Sequence, residues 1–260
     1  MTLHYEMTPE KYPGTYTALN ENGEKNLFIK TANLSDNPHF TPSVRNNELE
    51  IFASMPKHPN IVQCYGSFPQ GNSICIVMEY CQKGSLLQHI MKKRIGEKQC
   101  LTWMKHLTAA VKHCHDNGII HCDIKPENVV IDAKGTAKLC DFGLSEKKTP
   151  GRKLRGGGGS HCYISPERVR KQPFAEPADM WSLGVTLYTM TYRKNPFKGP
   201  DIHSTYENIK KMRFVGNEKL PNLSSHAGKI ISSLLKKDPE ERARPEQVLR
   251  YIEKILSCVK

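Results

Sequence analysis

Several things are missing from this chain of 260 residues, and each absence excludes something. The nine cysteines (64, 75, 81, 100, 114, 122, 140, 162 and 258) form no CxxC pair, and their number is odd. That argues against a disulfide framework or a four-thiolate zinc site and for reduced thiols inside a cell. No apolar run is long enough to span a bilayer, and the first thirty residues hold no signal-peptide core, so neither a membrane nor secretion is expected. No internal repeat recurs, which removes solenoids and propellers. Acidic residues are the minority charge: 26 against 38 basic ones, a net charge of +12. An excess of that size can serve an acidic partner, but a nucleic-acid footprint is a patch or stripe. Here the lysines and arginines are scattered apart from a cluster at 147–155, with no interleaved aromatics. A solvated basic surface is the better account, and nucleic acid is not expected as a partner.

What is present is a core-forming chain. Hydrophobic residues make up 38% and run along its whole length, enough for one large domain or two lobes sharing a cleft. Strand patterns come first: Tyr16, Ala18 and Leu19, an Asn22-Gly23 turn, then Leu27-Phe28-Ile29-Lys30, with Lys30 at the strand end. A helical pattern follows over 44–57. Two strands are expected around Ile61–Tyr65 and Ile74–Met78, then a helix from Gly84-Ser85 to about Lys93. Another helix over 98–117 carries Leu101, Met104, Leu107, Ala110, Val111 and Cys114 on one face and stops at Asn117-Gly118. His113 and His115 point apart on that helix and lack a completing carboxylate or thiol set, so a structural role is expected for both.

The densest chemistry lies between His121 and Gly143. His121-Cys122-Asp123-Ile124-Lys125-Pro126-Glu127-Asn128 is separated from Leu139-Cys140-Asp141-Phe142-Gly143 by the apolar run Val129-Val130-Ile131 and the turn Asp132-Ala133-Lys134-Gly135. Two carboxylates, a lysine and an asparagine on two neighbouring loops are the inventory of phosphoryl transfer: a base, a cation and hard oxygen ligands for a metal.

In order and spacing these segments resemble the catalytic loop and Asp-Phe-Gly motif of eukaryotic-type protein kinases, and Asp-Ile-Lys-Pro-Glu-Asn resembles the Ser/Thr form. The resemblance extends from Lys30 to Arg242. It implies an α+β bilobal fold: a small β-rich N-lobe with one main helix (about 1–78), a hinge (about 79–84) and a mostly helical C-lobe (about 85–260). It implies ATP and Mg²⁺ as cofactors, protein substrates with Ser/Thr acceptors, and a cytoplasmic monomer. The catalytic residues it implies are Asp123, Lys125 and Asn128, with Asn128 and Asp141 as metal ligands. Around the nucleotide it implies Lys30, Glu48, Gly14, the gatekeeper Met78, the hinge residues Glu79 and Cys81, Val129 and Asp141. Glu48 and Glu50 both compete to pair with Lys30. Counting from Glu48 gives Ile51, Phe52 and Met55 on one helix face, whereas Glu50 gives Ala53, Ser54 and Lys57, so Glu48 is chosen. Ser160 matches the hydroxyl residue that bonds the catalytic aspartate and lysine. Glu167 matches the anchor glutamate that pairs with Arg242, and Asp179-Met180-Trp181-Ser182 opens the central helix of the large lobe. Leu144, after the Asp-Phe-Gly glycine, points to serine as acceptor.

Three departures from the family stand out. Gly14 is the single glycine in Lys11-Tyr12-Pro13-Gly14-Thr15-Tyr16, where the family has three, which thins the backbone cover over phosphates. Phe28 replaces a small residue in the adenine roof. Cys122 replaces the arginine that clamps a phosphorylated activation loop, and a thiol cannot make charge-assisted bonds to phosphate. The last implies a kinase independent of phosphorylation at Ser145 or Thr149, in a basic loop with glycines 156–159. All three support an alternative, a kinase fold used for binding alone.

Overall fold

The computed structural model describes residues 7–9, 14–19, 25–33, 42–71, 73–148, 154, 158–215 and 225–258. The expected Asn22-Gly23 turn, Lys11 to Pro13 and most of the basic loop lie outside these residues.

Among the described residues of the first third of the chain, five strands form an antiparallel sheet in the order β1-β2-β3-β5-β4. Its strands are β1 (Met7–Pro9), β2 (Thr15–Leu19), β3 (Lys25–Asn33), β4 (Cys64–Gln70) and β5 (Ser73–Glu79). Helix α1 (Pro42–Ser54) lies between β3 and β4 in sequence. Alternation in β3 and β5 sends Ile29 and Cys75 into one cluster with Ala18, and Ile76 and Met78 into another with Val62 and Cys81. Two expectations need correction here. Lys30 is not at a strand end: β3 continues to Asn33, and Lys30 pairs with Thr15 on one side and Ile76 on the other. Strand β4 starts at Cys64, not Ile61. The apolar run before it is used elsewhere, because Ile61 bridges to Leu139 and Val62 N–H donates to the Leu139 carbonyl at 2.9 Å. An irregularity between Cys64 and Gly66 then sets the register of the edge strand.

The rest is mostly helical: α2 (Leu86–Lys92), α3 (Glu97–Asp116), α4 (Pro166–Val169), α5 (Pro177–Tyr192), α6 (Ile202–Lys211), α7 (His226–Leu234) and α8 (Pro245–Cys258). Ser85 and Gln88 form a capping box that starts α2. Helix α3 buries Leu101, Met104, Leu107, Ala110, Val111 and Cys114, and Gly118 beyond its end adopts φ +69°. Helix α5 is buried on every side from Ala178 to Met190, the signature of a central core helix. Sheet-rich and helix-rich halves make the bilobal α+β fold. One cluster joins them, since Ile51 of α1 and Met55 just beyond it pack with Phe142 and the α3 side chains.

Between the halves run β6 (Ile119–Ile120), β7 (Val129–Ile131), β8 (Ala137–Leu139) and β9 (Glu146–Lys147). β7 and β8 form a hairpin whose turn is closed by Thr136 N–H on Asp132 Oδ1 at 2.8 Å. This hairpin holds Asn128 and Asp141 at adjacent ends, so residues thirteen apart in sequence meet at one edge.

Candidate active site

Lys30 is the electrostatic centre of the sheet side. Its ammonium donates to Glu48 Oε2 at 3.2 Å and to Asp141 Oδ1 at 2.9 Å. Glu48 is 3% exposed on α1, whereas Glu50 faces solvent, so of the two glutamates weighed it is Glu48 that meets the lysine. Glu48 Oε1 also accepts the N–H of Phe142 at 3.2 Å, fastening α1 to the segment after Asp141. Burial alone would lower the Lys30 pKa, but the two carboxylates outweigh it and the net shift is upward. Asp141 is held below its usual range: burial opposes this, and the Lys30 charge and hydrogen bond override it, aided by His121 and Lys125. Burial pushes Glu48 upward against the pull of Lys30.

A second net surrounds Asp123, which is 7% exposed. Its Oδ2 accepts from Lys125 Nζ at 2.7 Å and from Asn128 Nδ2 at 2.9 Å, and its Oδ1 accepts the Ser160 N–H at 2.9 Å. Lys125 Nζ also donates to Ser160 Oγ at 2.6 Å. A carboxylate offers about four lone-pair sites. These bonds leave capacity on Oδ1, the side where Gly159 would bring any Cβ to 3.5 Å. Donation from Nδ2 fixes the Asn128 amide and leaves its carbonyl oxygen as an acceptor.

Rings and a buried aspartate support the two nets. Phe142, fully buried, meets Phe52 of α1 edge-on at 5.1 Å and His121 at 4.8 Å. Asp179 on α5 accepts the N–H groups of His121 at 2.8 Å and Cys122 at 2.9 Å, and His115 Nε2 lies 2.9 Å from it. In the sequence Asp179 is legible only as the start of an apolar helix. Its burial amid backbone donors shows it to be the strut beneath the loop. His113 stacks on His58 at 4.8 Å and meets the Pro56 carbonyl. Among the described residues no group of three or more histidine, cysteine or carboxylate side chains could hold a metal.

The cleft wall expected to take a nucleotide has a mixed outcome. Met78 and Cys81 are buried together with Val62 and Ile76, and Phe28 packs on the same cluster beside Val130 and Cys140. Val129, expected at the cofactor, faces the other way. It is fully buried in the helical core, and strand alternation turns Val130 toward Phe28 and Met78. The Glu79 side chain is tied to Lys138 at 2.7 Å and accepts the Gln63 N–H at 3.0 Å, and its own N–H donates to the Gln63 carbonyl at 2.9 Å, so both the side chain and the N–H are committed. Gly14 adopts φ +73°, and its carbonyl accepts from Thr31 N–H and Oγ1 at 2.6 and 2.9 Å. A Cβ there would sit 3.0 Å from two Thr31 oxygens, so glycine is needed for the turn into β2.

Glu167 and Arg242 form a buried bidentate pair at 2.8 and 2.6 Å, with the guanidinium over the Trp181 ring at 5.3 Å. With this pair the linkage from α4 to the segment before α8 is complete. The Protein kinase domain profile matches residues 11–252. The chain belongs to the protein kinase domain family. It is 35% identical over 206 residues to NUAK family SNF1-like kinase 1 of Homo sapiens, covering 78% of this chain and 30% of that one. It is 32% identical to Serine/threonine-protein kinase PEPKR2 of Arabidopsis thaliana (78% and 44%) and to Serine/threonine-protein kinase Nek5 of Homo sapiens (90% and 34%). The chain thus spans under half the length of these relatives, two of which are serine/threonine-protein kinases by name. No described helix is long and apolar enough to cross a membrane.

Proposed function

We propose that this kinase domain transfers the γ-phosphoryl group of ATP to serine and threonine hydroxyls of protein substrates, with Mg²⁺ as its metal and without phosphorylation of its own activation segment. The observation that carries the reading is the sharing of one ammonium, Lys30, between Glu48 and Asp141. That pairing commits α1, β3 and the Asp141 loop to one arrangement, the one phosphoryl transfer requires.

The residues fit a magnesium nucleotide. Asp141 is bonded through one oxygen, and its side chain is 43% exposed toward the cleft. Together with the Asn128 carbonyl oxygen it forms a hard-oxygen pair of the kind Mg²⁺ takes. When bound, the metal would neutralise charge on the phosphates. Lys30 would hold the α- and β-phosphates, with Glu48 fixing its position. Asp123 Oδ1 would accept the substrate hydroxyl proton and orient the oxygen. Lys125, held between Asp123 and Ser160, would offset charge on the phosphoryl group in transit. Backbone groups of Glu79 and Cys81 would bond adenine between Met78, Val130 and Phe28, with Gly14 at the edge of the phosphate cover. The lobes divide at about 79–84, and the domain acts as an intracellular monomer.

Phosphorylation independence is supported by two side chains. Cys122 is 4% exposed within an apolar cluster, and Ser145 is 1% exposed with its hydroxyl on the His121 carbonyl. A Ser145 so placed is closed to a kinase, and Cys122 offers no charge to a phosphate. Thr149 lies outside the described residues. Phe28 favours a second reading, a kinase fold that binds without catalysis, because its ring shares the cluster of Met78, Val130 and Cys140.

Thermal stabilisation by ATP with and without Mg²⁺, paired with transfer from labelled ATP to a peptide array, separates the readings. Nucleotide at 100 times its Kd adds about 2.7 kcal/mol of apparent stability. Metal-dependent stabilisation and transfer, both surviving phosphatase treatment, are expected. No stabilisation at all would establish the binding-only reading.

A further inference from the structure

We infer that Arg168 is the positioning residue that holds the activation segment on the catalytic loop, doing with a fixed guanidinium what a phosphate-dependent clamp would otherwise do. The inference deepens the proposed function and rests on it for its kinetic consequences. Its structural content can be tested separately.

Arg168 is 5% exposed, directly after Glu167 on α4. Its Nη1 donates to the Cys122 carbonyl at 2.7 Å and its Nη2 to the Gly158 carbonyl at 2.6 Å. Cys122 is the residue before Asp123, and Gly158 stands two before Ser160. The planar fork therefore joins the two strands of chain that supply the Asp123–Ser160–Lys125 net. No carboxylate among the described residues pairs with it. Its charge is accommodated by two carbonyl dipoles and by the face of Phe174, 4.6 Å below the guanidinium carbon.

The surroundings explain why a cation reaches this spot from α4. Cys122 adopts φ +68°, its N–H is taken by Asp179, and its carbonyl by Arg168, so both polar groups of that residue are fixed. Its side chain turns into a cluster of Ile120, Leu154, Phe174 and Ala178. Leu154, from the basic segment, is 6% exposed there, and its carbonyl accepts the Phe174 N–H at 3.1 Å. An apolar side chain thus seats the segment on the very residue that replaces an arginine. A phosphate in that cluster would be stripped of water, and Cys122 itself offers it no charge. Gly159 completes the fit. With φ +103°, a Cβ there would meet the Cys122 carbonyl oxygen at 2.9 Å and Arg168 Nη1 at 3.7 Å, so the segment approaches the loop as closely as glycine permits.

The test compares the parent with Arg168→Gln and Arg168→Lys by amide hydrogen exchange and by steady-state peptide kinetics. Loss of a hydrogen bond to a charged group should cost about tenfold or more in local protection. We expect that loss at Ser160 and Phe174 in Arg168→Gln, with peptide KM up about fivefold or more, ATP KM within about twofold, and partial recovery in Arg168→Lys. A variant that had merely lost folded protein would lower kcat alone. Unchanged exchange with unchanged peptide kcat/KM overturns the inference. Should Arg168→Gln not fold, Phe174→Leu keeps the cluster apolar and removes the ring, and it must show the same pattern in weaker form or the inference fails. A parent that transfers no phosphate but loses Ser160 protection in Arg168→Gln would sink the enzyme reading and keep the clamp.

Discussion

Lys125 Nζ bridges Asp123 Oδ2 at 2.7 Å and Ser160 Oγ at 2.6 Å, so one ammonium locks the activation segment onto the catalytic loop. Ser160→Ala keeps the backbone bond to Asp123 Oδ1 but deletes the hydroxyl acceptor. One hydrogen bond to a charged group is worth about 1.5–3 kcal/mol, so kcat should fall about tenfold or more. Ser160→Thr retains the hydroxyl and should stay within about threefold of the parent. Peptide phosphorylation rates at saturating ATP check both. Equal rates for Ser160→Ala and the parent would remove Ser160 from the mechanism.

Asp123→Asn is the sharper cut. An amide cannot take a proton from a substrate hydroxyl, and its NH2 would face either the donors of Lys125 and Asn128 or the Ser160 N–H. General-base assistance is worth about 10²–10⁴ in rate, so transfer should drop by that range. ATP-induced stabilisation should persist, because Lys30, Glu48 and Asp141 are untouched. Loss of both together would show that the substitution had damaged the fold and not the chemistry.

The fold and most of the site were legible because the chemistry is local. Asp123, Lys125 and Asn128 sit within six residues, and the β7–β8 hairpin returns Asp141 to them over a short apolar run. Glu48 was separable from Glu50 since its helix face carries Ile51, Phe52 and Met55, and those residues do pack on the core. Short-range pattern was less able to say where a given apolar residue would spend its burial. Val129 and Val130 are chemically alike, and only the register of β7 decides that Val130 joins Phe28. Ile61 and Val62 have strand character yet pair with Leu139 instead of extending β4. Arg168, Phe174 and Leu154 left no signal at all: their meeting depends on a tertiary contact between two long connections and on a left-handed Cys122.

Phe28 sits where the adenine roof is expected, packed with Met78, Val130 and Cys140. Its replacement by alanine should have opposite effects on apo stability and on nucleotide affinity. Truncating a half-buried phenyl should cost stability, below the about 3–5 kcal/mol of a fully buried one. The vacated volume should let adenine seat deeper, enlarging the thermal shift given by a fixed ATP concentration. Isothermal titration of parent and Phe28→Ala checks this. Weaker binding in the variant would mean that the ring stacks on adenine and contributes affinity.

The Glu167–Arg242 pair gives the domain a defined acid limb. Burial by itself would raise the Glu167 pKa, but the two hydrogen bonds and charge of Arg242 hold it below the usual carboxylate range. A carboxylate whose folded-state pKa is depressed stabilises the fold fully above its unfolded value. That contribution disappears as pH falls through the folded-state value. Glu167→Gln leaves Arg242, fully buried at its side chain, without its anion. At neutral pH the variant should lose about 3–5 kcal/mol, the usual cost of breaking a buried pair. On acidification the parent should lose stability and the variant should lose less, so their Tm curves converge toward low pH. A gap between the two curves that stays constant with pH would mean that Glu167 acts by shape and hydrogen bonding, with no contribution from its charge.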